Sequence, residues 1–97
     1  NGEVDVILRI EDLQGQRVTV VAEAKARLSR RDVIAWAQRM RSAGFRKRLE
    51  KAGYRGPYWV YAYAIRADKA AKEAVRETGI GLMKGDGEVI SPAALIE

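Results

Sequence analysis

The sequence predicts a single α/β domain in which a mixed β-sheet carries helices on its faces. Short runs rich in β-branched and aromatic residues alternate with longer segments whose apolar residues recur at helical spacing. The elements follow the order β-β-α-β-α-β-β, so two helical segments connect strands that run in the same direction. A chain of 97 residues can bury one modest core without disulfides or other cross-links.

Two strands are predicted near the N-terminus, over residues 4–10 and 17–26, on either side of a polar turn at 11–16 that contains Gly15. So short a connection indicates an antiparallel hairpin. The hairpin brings the start of the first strand beside the end of the second. Because residue 1 is Asn and a strand begins almost at once, further elements are expected upstream.

The basic middle of the chain is predicted to be helical. Ser29 is the expected N-cap, Asp32 completes a variant of the capping box, and Gly53 suits the position after a helix that ends near residue 52. Gly44 either bends this helix or divides it in two. Its buried stripe is predicted to comprise Val33, Trp36, Ala37, Met40 and Ala43.

The C-terminal half is predicted to add a strand over 58–65, a helix over 69–78 between Asp68 and Gly79, and two short strands over 80–83 and 88–90. The helix is expected to bury Ala70, Ala71, Ala74 and Val75. Residues 93–97 form a tail. One face of the 58–65 strand carries Trp59, Tyr61 and Tyr63, which we expect to be core beneath a helix; a platform for base stacking is the alternative.

The amino-acid composition limits the kinds of catalytic and metal-binding sites that the chain can form. The chain has no cysteine and no histidine, which excludes disulfides, thiolate catalysis, Ser-His-Asp triads and His- or Cys-type zinc sites. A bound metal would therefore be a hard ion such as Mg²⁺ or Mn²⁺ held by carboxylates. No apolar stretch is long enough to span a bilayer and no signal peptide is visible, so a cytoplasmic protein without a membrane partner is expected.

The charge is distributed unevenly. The net charge is +5, but residues 25–55 carry +9 and the remainder of the chain carries −4. A one-sided basic segment favours contact with a polyanion, although a solvated helix face is the more ordinary explanation of a charged run.

Charged residues interrupt both N-terminal strands. Glu23 and Lys25 follow an apolar run at alternate positions, so they leave the same face of the second strand. Asp5 lies in the apolar run of the first strand, and the hairpin brings it near them. Two acids and a lysine in this arrangement suit a metal site, with Asp5, Glu23 and the Ala24 carbonyl as ligands. Alone, a Glu–Lys pair would be a surface ion pair of about 0–1 kcal/mol.

The segment Gly2-Glu3-Val4-Asp5-Val6, followed by a hairpin, Glu23-Ala24-Lys25, a helix and the strand at 58–65, resembles the PD-(D/E)XK nuclease superfamily. The resemblance implies a three-layer α/β/α restriction-endonuclease-like fold with a mixed central sheet, whose first core helix and strand are not seen here. It implies that Asp5 and Glu23 bind Mg²⁺ and that Lys25 assists the attacking water. The tyrosine of RecB-like members is not matched, because Ser42 stands in its place.

The predicted activity is metal-dependent hydrolysis of DNA, with Asp5, Glu23 and Lys25 as the catalytic residues. DNA is the expected partner, and a homodimer would allow two sites to reach both strands. The alternative is a non-catalytic nucleic-acid-binding or assembly module that keeps the fold. Residues predicted to hold the sugar–phosphate backbone are Arg27, Arg30, Arg31, Arg46, Lys47, Arg48 and Lys51.

Overall fold

The computed structural model describes residues 5–97, without the side chains of Asp5, Ile7 and Leu13. The predicted start of the first strand, Val4, lies outside the described residues. Within them, the elements are β1 (Asp5–Leu13), β2 (Gln16–Leu28), α1 (Arg30–Arg41), α2 (Ala43–Lys51), β3 (Tyr58–Ala67), α3 (Lys69–Thr78), β4 (Gly81–Lys84) and β5 (Gly87–Ile90). The predicted α/β class is confirmed.

The five strands form one mixed sheet in the order β1-β2-β3-β4-β5. The pairs β1–β2 and β4–β5 are antiparallel, whereas β2, β3 and β4 are parallel to one another. Parallel neighbours end on the same side, so the carboxyl ends of β2, β3 and β4 meet at one edge, at Leu28, Ala67 and Lys84. We call this side the carboxyl edge. Helices α1 and α3 begin there, because each directly follows one of these strands.

A tight turn at Gln14 and Gly15 joins β1 to β2. Their φ angles are 53° and 79°, as a two-residue hairpin turn of type I′ requires. The sequence predicted a longer turn over 11–16, and that boundary is wrong, since Glu11 and Asp12 are paired within β1. Both acids are exposed, and an exposed strand position accepts a polar side chain while its backbone stays in the ladder.

The predicted capping box of α1 is confirmed. The Asp32 N–H donates to Ser29 Oγ across 3.2 Å, and the Ser29 N–H donates to Asp32 Oδ2 across 3.1 Å. These two bonds satisfy backbone donors that have no partner inside the first helical turn. They also hold the Asp32 side chain at the start of α1.

The basic segment forms two helices that meet at Ser42. The Ser42 hydroxyl donates to the Arg39 carbonyl across 2.8 Å and accepts the Phe45 N–H across 3.3 Å, so one side chain ends α1 and begins α2. A continuous helix to residue 52 was therefore the wrong alternative. The division that the sequence left open is present, but it lies at Ser42, and Gly44 is inside α2.

All three helices pack against one face of the sheet. One continuous core joins Val33, Trp36 and Met40 of α1, Leu49 of α2, and Ala71, Ala74 and Val75 of α3 to Val21, Val60, Ala62 and Leu82 of the strands. Crossovers between parallel strands are right-handed almost without exception. The two crossovers here, β2 to β3 and β3 to β4, step across the sheet in the same direction, so they leave their helices on the same face. The described residues thus form two layers, and the predicted third layer is not among them.

The aromatic stripe of β3 lies on the face opposite the helices, which corrects the prediction that it packs beneath one. Tyr61 forms a small second cluster with Val20 and Ala22, flanked by Trp59. Its hydroxyl accepts the Trp59 indole N–H across 2.9 Å and donates to the Glu88 carboxylate. Alternation along a strand assigns residues to two faces but does not say which face the helices will cover.

The last elements follow the prediction closely. Asp68 caps α3 by accepting the Ala71 N–H across 2.7 Å, and Gly79 ends the helix with φ 81°. Ala70, expected on the buried side, is exposed. In the tail, Ile96 exchanges two backbone hydrogen bonds with Tyr58, at 2.8 and 2.9 Å. None of the helices within residues 5–97 is long and apolar enough to cross a membrane.

Candidate functional site

Glu23 and Lys25 project from β2 on the face that the helices cover. Directly across from them on β3 are Ala62 and Ala64, and Val6 of β1 is opposite Glu23. Alanine side chains do not reach far above the sheet, so space remains beside the charged pair. The prediction that Glu23 and Lys25 share one face is confirmed, because both line the same cavity.

This cavity has a volume of about 160 Å³, and α1 forms its second wall. The helix contributes Asp32, Ala35, Trp36 and Arg39, which occupy the i, i+3, i+4 and i+7 positions of one helix face. The Trp36 indole N–H donates to the Tyr61 carbonyl across 2.9 Å, which fixes the position of α1 over the sheet. The cavity therefore brings two acids and two bases together.

Glu23 is almost fully buried, with 5% of its surface exposed, and Arg39 is its partner. Arg39 Nη1 donates to Glu23 Oε2 across 3.2 Å. The guanidinium also lies 4.8 Å from the ring centre of Phe45 and 5.7 Å from that of Trp36, so aromatic faces hold it in place. Burial raises the pKa of the Glu23 carboxyl above its ordinary value, and the charges of Arg39 and Lys25 oppose that rise.

Lys25 is held by the carboxylate at the start of α1. Its Nζ donates to Asp32 Oδ1 across 3.3 Å, while the other oxygen of Asp32 accepts the Ser29 N–H. Burial alone would raise the pKa of the Asp32 carboxyl, but hydrogen bonds from Ser29 and Lys25 outweigh it and hold that pKa below its ordinary value. Asp32 is thus a charged anchor that positions the Lys25 ammonium beside Glu23.

The donor atoms in this cavity suit a hard cation. Glu23 and Asp32 offer carboxylate oxygens, which Mg²⁺ and Mn²⁺ prefer to nitrogen or sulfur. Mg²⁺ is commonly held by one or two carboxylates, with water and substrate phosphate as its remaining ligands, so these residues fit such an ion. Among the residues that the structure describes, no three acidic side chains gather at one point, and a cage made wholly of protein ligands is not formed there.

Two predicted ligands are less fully described. The backbone of Asp5 pairs with Ala24 and that of Val6 with Glu23, and Ala24 and Glu23, as neighbours along β2, belong to opposite faces of the sheet. The side chain of Asp5 lies outside what the structure describes, so a site shared by Asp5 and Glu23 stays a prediction. Ala24 has a paired neighbour on each side, Asp5 on β1 and Tyr63 on β3. Its carbonyl therefore lies within the ladder of the sheet.

The predicted backbone-binding residues are divided between two regions. Arg27 and Arg31 are exposed near the carboxyl edge, where Arg30 pairs with Glu77 across 2.7 Å. The other group begins beyond the far end of α1, which is roughly 18 Å long at about 1.5 Å per residue. In that group Arg46 donates to the carbonyls of Ser42, Arg41 and Glu97, whereas Lys47, Arg48 and Lys51 are exposed.

Sequence reasoning missed two members of the cavity and two basic residues near it. Asp32 was recognised only as a helix cap, and Arg39 only as part of the basic run. Their spacing from Trp36, a predicted core residue, could have placed both on the inner border of the helix. Arg66 and Lys84 were not identified as candidates, although each directly follows a predicted strand, at 58–65 and 80–83 respectively.

No protein-family model matches this chain. Neither a curated protein nor a solved structure matches it.

Proposed function

We propose that this domain is a Mg²⁺-dependent nuclease that hydrolyses DNA phosphodiester bonds, related to the PD-(D/E)XK superfamily through Asp5, Glu23 and Lys25. One observation carries the proposal: Glu23 and Lys25, two residues apart on β2, line a single cavity close to a basic edge of the sheet. Glu23 could bind a metal ion there and Lys25 could contact a water molecule. Both residues would then lie close to a phosphate group bound at the basic edge. A restriction-endonuclease-like fold is part of the same proposal.

Each residue has a distinct part in this proposal. Glu23 would hold the metal, together with Asp5 and the Ala24 carbonyl as the resemblance implies. A bound Mg²⁺ would stabilise negative charge on the phosphate and lower the pKa of a coordinated water. Lys25 would orient the attacking water. Asp32 keeps the Lys25 ammonium in place through the 3.3 Å contact between them.

Arg39 is a positioning residue in this scheme. Its guanidinium compensates the negative charge of Glu23, which has little contact with solvent. The same contact orients the carboxylate toward the cavity. Arg27, Arg30 and Arg31 are proposed to hold the DNA backbone near the carboxyl edge. A homodimer would present two such sites to the two strands of a duplex.

A binding module without catalytic activity is the second candidate, and the ion pairs favour it. Glu23 and Lys25 already have partners of opposite charge in Arg39 and Asp32. The four charges sum to zero, so the cluster is balanced without a ligand. In this alternative the four residues stabilise the contact between α1 and the sheet, and the basic residues bind nucleic acid.

Cleavage assays distinguish the two candidates. Wild type, Glu23→Gln and Lys25→Gln are incubated with single- and double-stranded DNA in Mg²⁺ or Mn²⁺, with Glu73→Gln and Arg76→Gln as controls that remove the same charges from exposed positions on α3. We expect cleavage by wild type and by both controls, and loss of cleavage in the two site variants. Cleavage that survives both site substitutions would contradict the site, and DNA binding without cleavage by any protein would favour the binding module.

A further inference from the structure

A second cavity lies at the carboxyl edge, separate from the Glu23–Lys25 cavity. Its volume is about 480 Å³. Its lining comes from the ends of the three parallel strands and from the first residue before α3: Arg27, Leu28, Arg66, Ala67, Asp68 and Lys84. Three of these six residues are cations, one from each parallel strand.

The sheet register brings the three cations together. Arg27 of β2 and Arg66 of β3 are direct partners in the parallel ladder, and Lys84 ends the adjacent strand β4. Partners in a ladder project from the same face, so two guanidinium groups leave the sheet side by side. Like charges at such positions repel each other, and an anion between them would remove that repulsion.

These cations are available for a ligand. The four ion pairs among the described side chains include none of Arg27, Arg66 and Lys84. The one acid in the lining, Asp68, is committed elsewhere, because Oδ1 accepts the Ala71 N–H at the start of α3 across 2.7 Å. The cavity therefore carries a formal charge of +2 with Asp68 included, and none of its three cations forms an ion pair within the described part of the chain.

We propose that the cavity formed by Arg27, Arg66 and Lys84 is a phosphate-binding pocket that seats one phosphate group of a nucleic-acid strand. Guanidinium groups bind phosphate oxygens in pairs, and the lysine adds a point charge from the third strand. Arg27 lies two residues beyond Lys25 on the same face of β2, a separation of about 6.6 Å along the strand. A strand held in the pocket would therefore pass directly beside the Glu23–Lys25 cavity.

The inference rests on the proposed function only in taking nucleic acid as the carrier of the phosphate. Binding is measured in EDTA, so that cleavage plays no part, by fluorescence anisotropy of short single-stranded oligonucleotides over a range of salt. Wild type is compared with Arg66→Gln, Lys84→Gln and the double variant. Arg76→Gln is the matched control, because it removes one charge from an exposed position of α3 outside the pocket.

Each pocket variant is expected to weaken binding about tenfold or more, as the loss of one charge-assisted hydrogen bond predicts. The slope of log affinity against log salt should fall by about 0.7 for each lost contact with a single strand. The control should change affinity less than about twofold. Comparison of 5′-phosphorylated with 5′-hydroxyl oligonucleotides identifies the source: a preference for the former indicates a terminal phosphate, and equal affinity indicates a backbone phosphate.

If the pocket variants bind the oligonucleotides with the same affinity and the same salt slope as Arg76→Gln, the proposed phosphate pocket is wrong. This outcome is distinguishable from failure of the nuclease proposal. If wild type does not cleave DNA in Mg²⁺ but the pocket variants lose affinity, the pocket proposal stands and the nuclease proposal does not. If cleavage requires Glu23 but the affinity for DNA is unchanged by substitution of Arg66 and Lys84, the nuclease proposal stands and the pocket proposal does not.

Discussion

Arg39 of α1 donates a hydrogen bond to Glu23 of β2 across 3.2 Å, and this contact joins the helix layer to a carboxylate with only 5% of its surface exposed. The two residues are 16 positions apart in the chain. Removal of the guanidinium would leave Glu23 buried without its strongest compensating charge. A buried acid in that state is costly while it is ionised.

The first prediction follows from this pair. Arg39→Met should lower the free energy of unfolding by about 1–3 kcal/mol at pH 7, measured by urea denaturation. A value near the lower end of this range is expected, because the Arg39 side chain is 45% exposed and solvent weakens its interaction with Glu23. Adding Glu23→Gln should recover part of the loss, since the neutral amide needs no counter-charge. Equal stabilities of wild type and Arg39→Met would contradict this account.

The second prediction concerns the pH dependence of the same variant. The pKa of Glu23 is raised above its ordinary value of 4.5, so the folded protein binds its proton more tightly than the unfolded chain does. This group therefore favours folding more as pH falls through its folded pKa. The difference in free energy of unfolding between wild type and Arg39→Met should become smaller as pH is lowered from 7 toward 4. When Glu23→Gln is also present, the effect of Arg39→Met should no longer depend on pH. A deficit independent of pH would show that the lost contact is one of packing alone.

The third prediction has the opposite sign and concerns Asp32. Its pKa is held below its ordinary value of 3.8, so its contribution to stability is present above that pH and is lost as pH falls through the folded pKa. Asp32→Asn removes the charge that accepts from the Ser29 N–H and Lys25 Nζ, and should lower the free energy of unfolding by about 1 kcal/mol at neutral pH. The difference in free energy of unfolding between Asp32→Asn and wild type should become smaller below pH 4. Asp68→Asn is the matched control, because it removes a carboxylate charge at the start of α3 while asparagine remains a good N-cap residue.

The local features of the fold could be predicted from the sequence because they depend on near neighbours. Ser29 and Asp32 are three residues apart, and the cap at Asp68 and the stop at Gly79 are equally local. The side of the sheet that the helices cover is not a local property. It follows from the direction in which both crossovers step from β2 to β4, and alternation along β3 left Trp59 and Tyr61 equally suited to either face.

The candidate site was partly predictable for the same reason. Glu23 and Lys25 share a face because they are two residues apart on one strand. Their partners, Arg39 and Asp32, come from the helix above, and only the packing of α1 on the sheet shows which charged residues of the basic run turn inward. The pocket of Arg27, Arg66 and Lys84 needs three strand ends in register, which no single stretch of sequence displays.

The fourth prediction uses the polar network on the uncovered face of the sheet. Burial and the hydrogen bond to the Glu88 carboxylate raise the pKa of Tyr61 to about 12. The folded state keeps this proton more tightly than the unfolded chain, so the resulting stability is present below the ordinary pKa of 10.0 and is lost as pH rises toward 12. In an absorbance titration that follows the formation of tyrosinate, the last tyrosine step should disappear in Tyr61→Phe. It should remain in Tyr63→Phe, and an unaltered curve above pH 11 in Tyr61→Phe would contradict the assignment.

The fifth prediction separates the two residues at the junction of α1 and α2. Ser42→Ala removes the side-chain bonds to the Arg39 carbonyl and the Phe45 N–H, and should destabilise the fold by about 1 kcal/mol. Gly44→Ala should instead stabilise it by about 0.4–1 kcal/mol, because a Cβ at Gly44 would meet no atom within 4 Å and the unfolded chain would lose freedom. Thermal and urea unfolding measure both changes. If the helices were divided by the glycine, Gly44→Ala would destabilise the junction; opposite signs for the two substitutions are therefore the result that assigns the break to the serine cap.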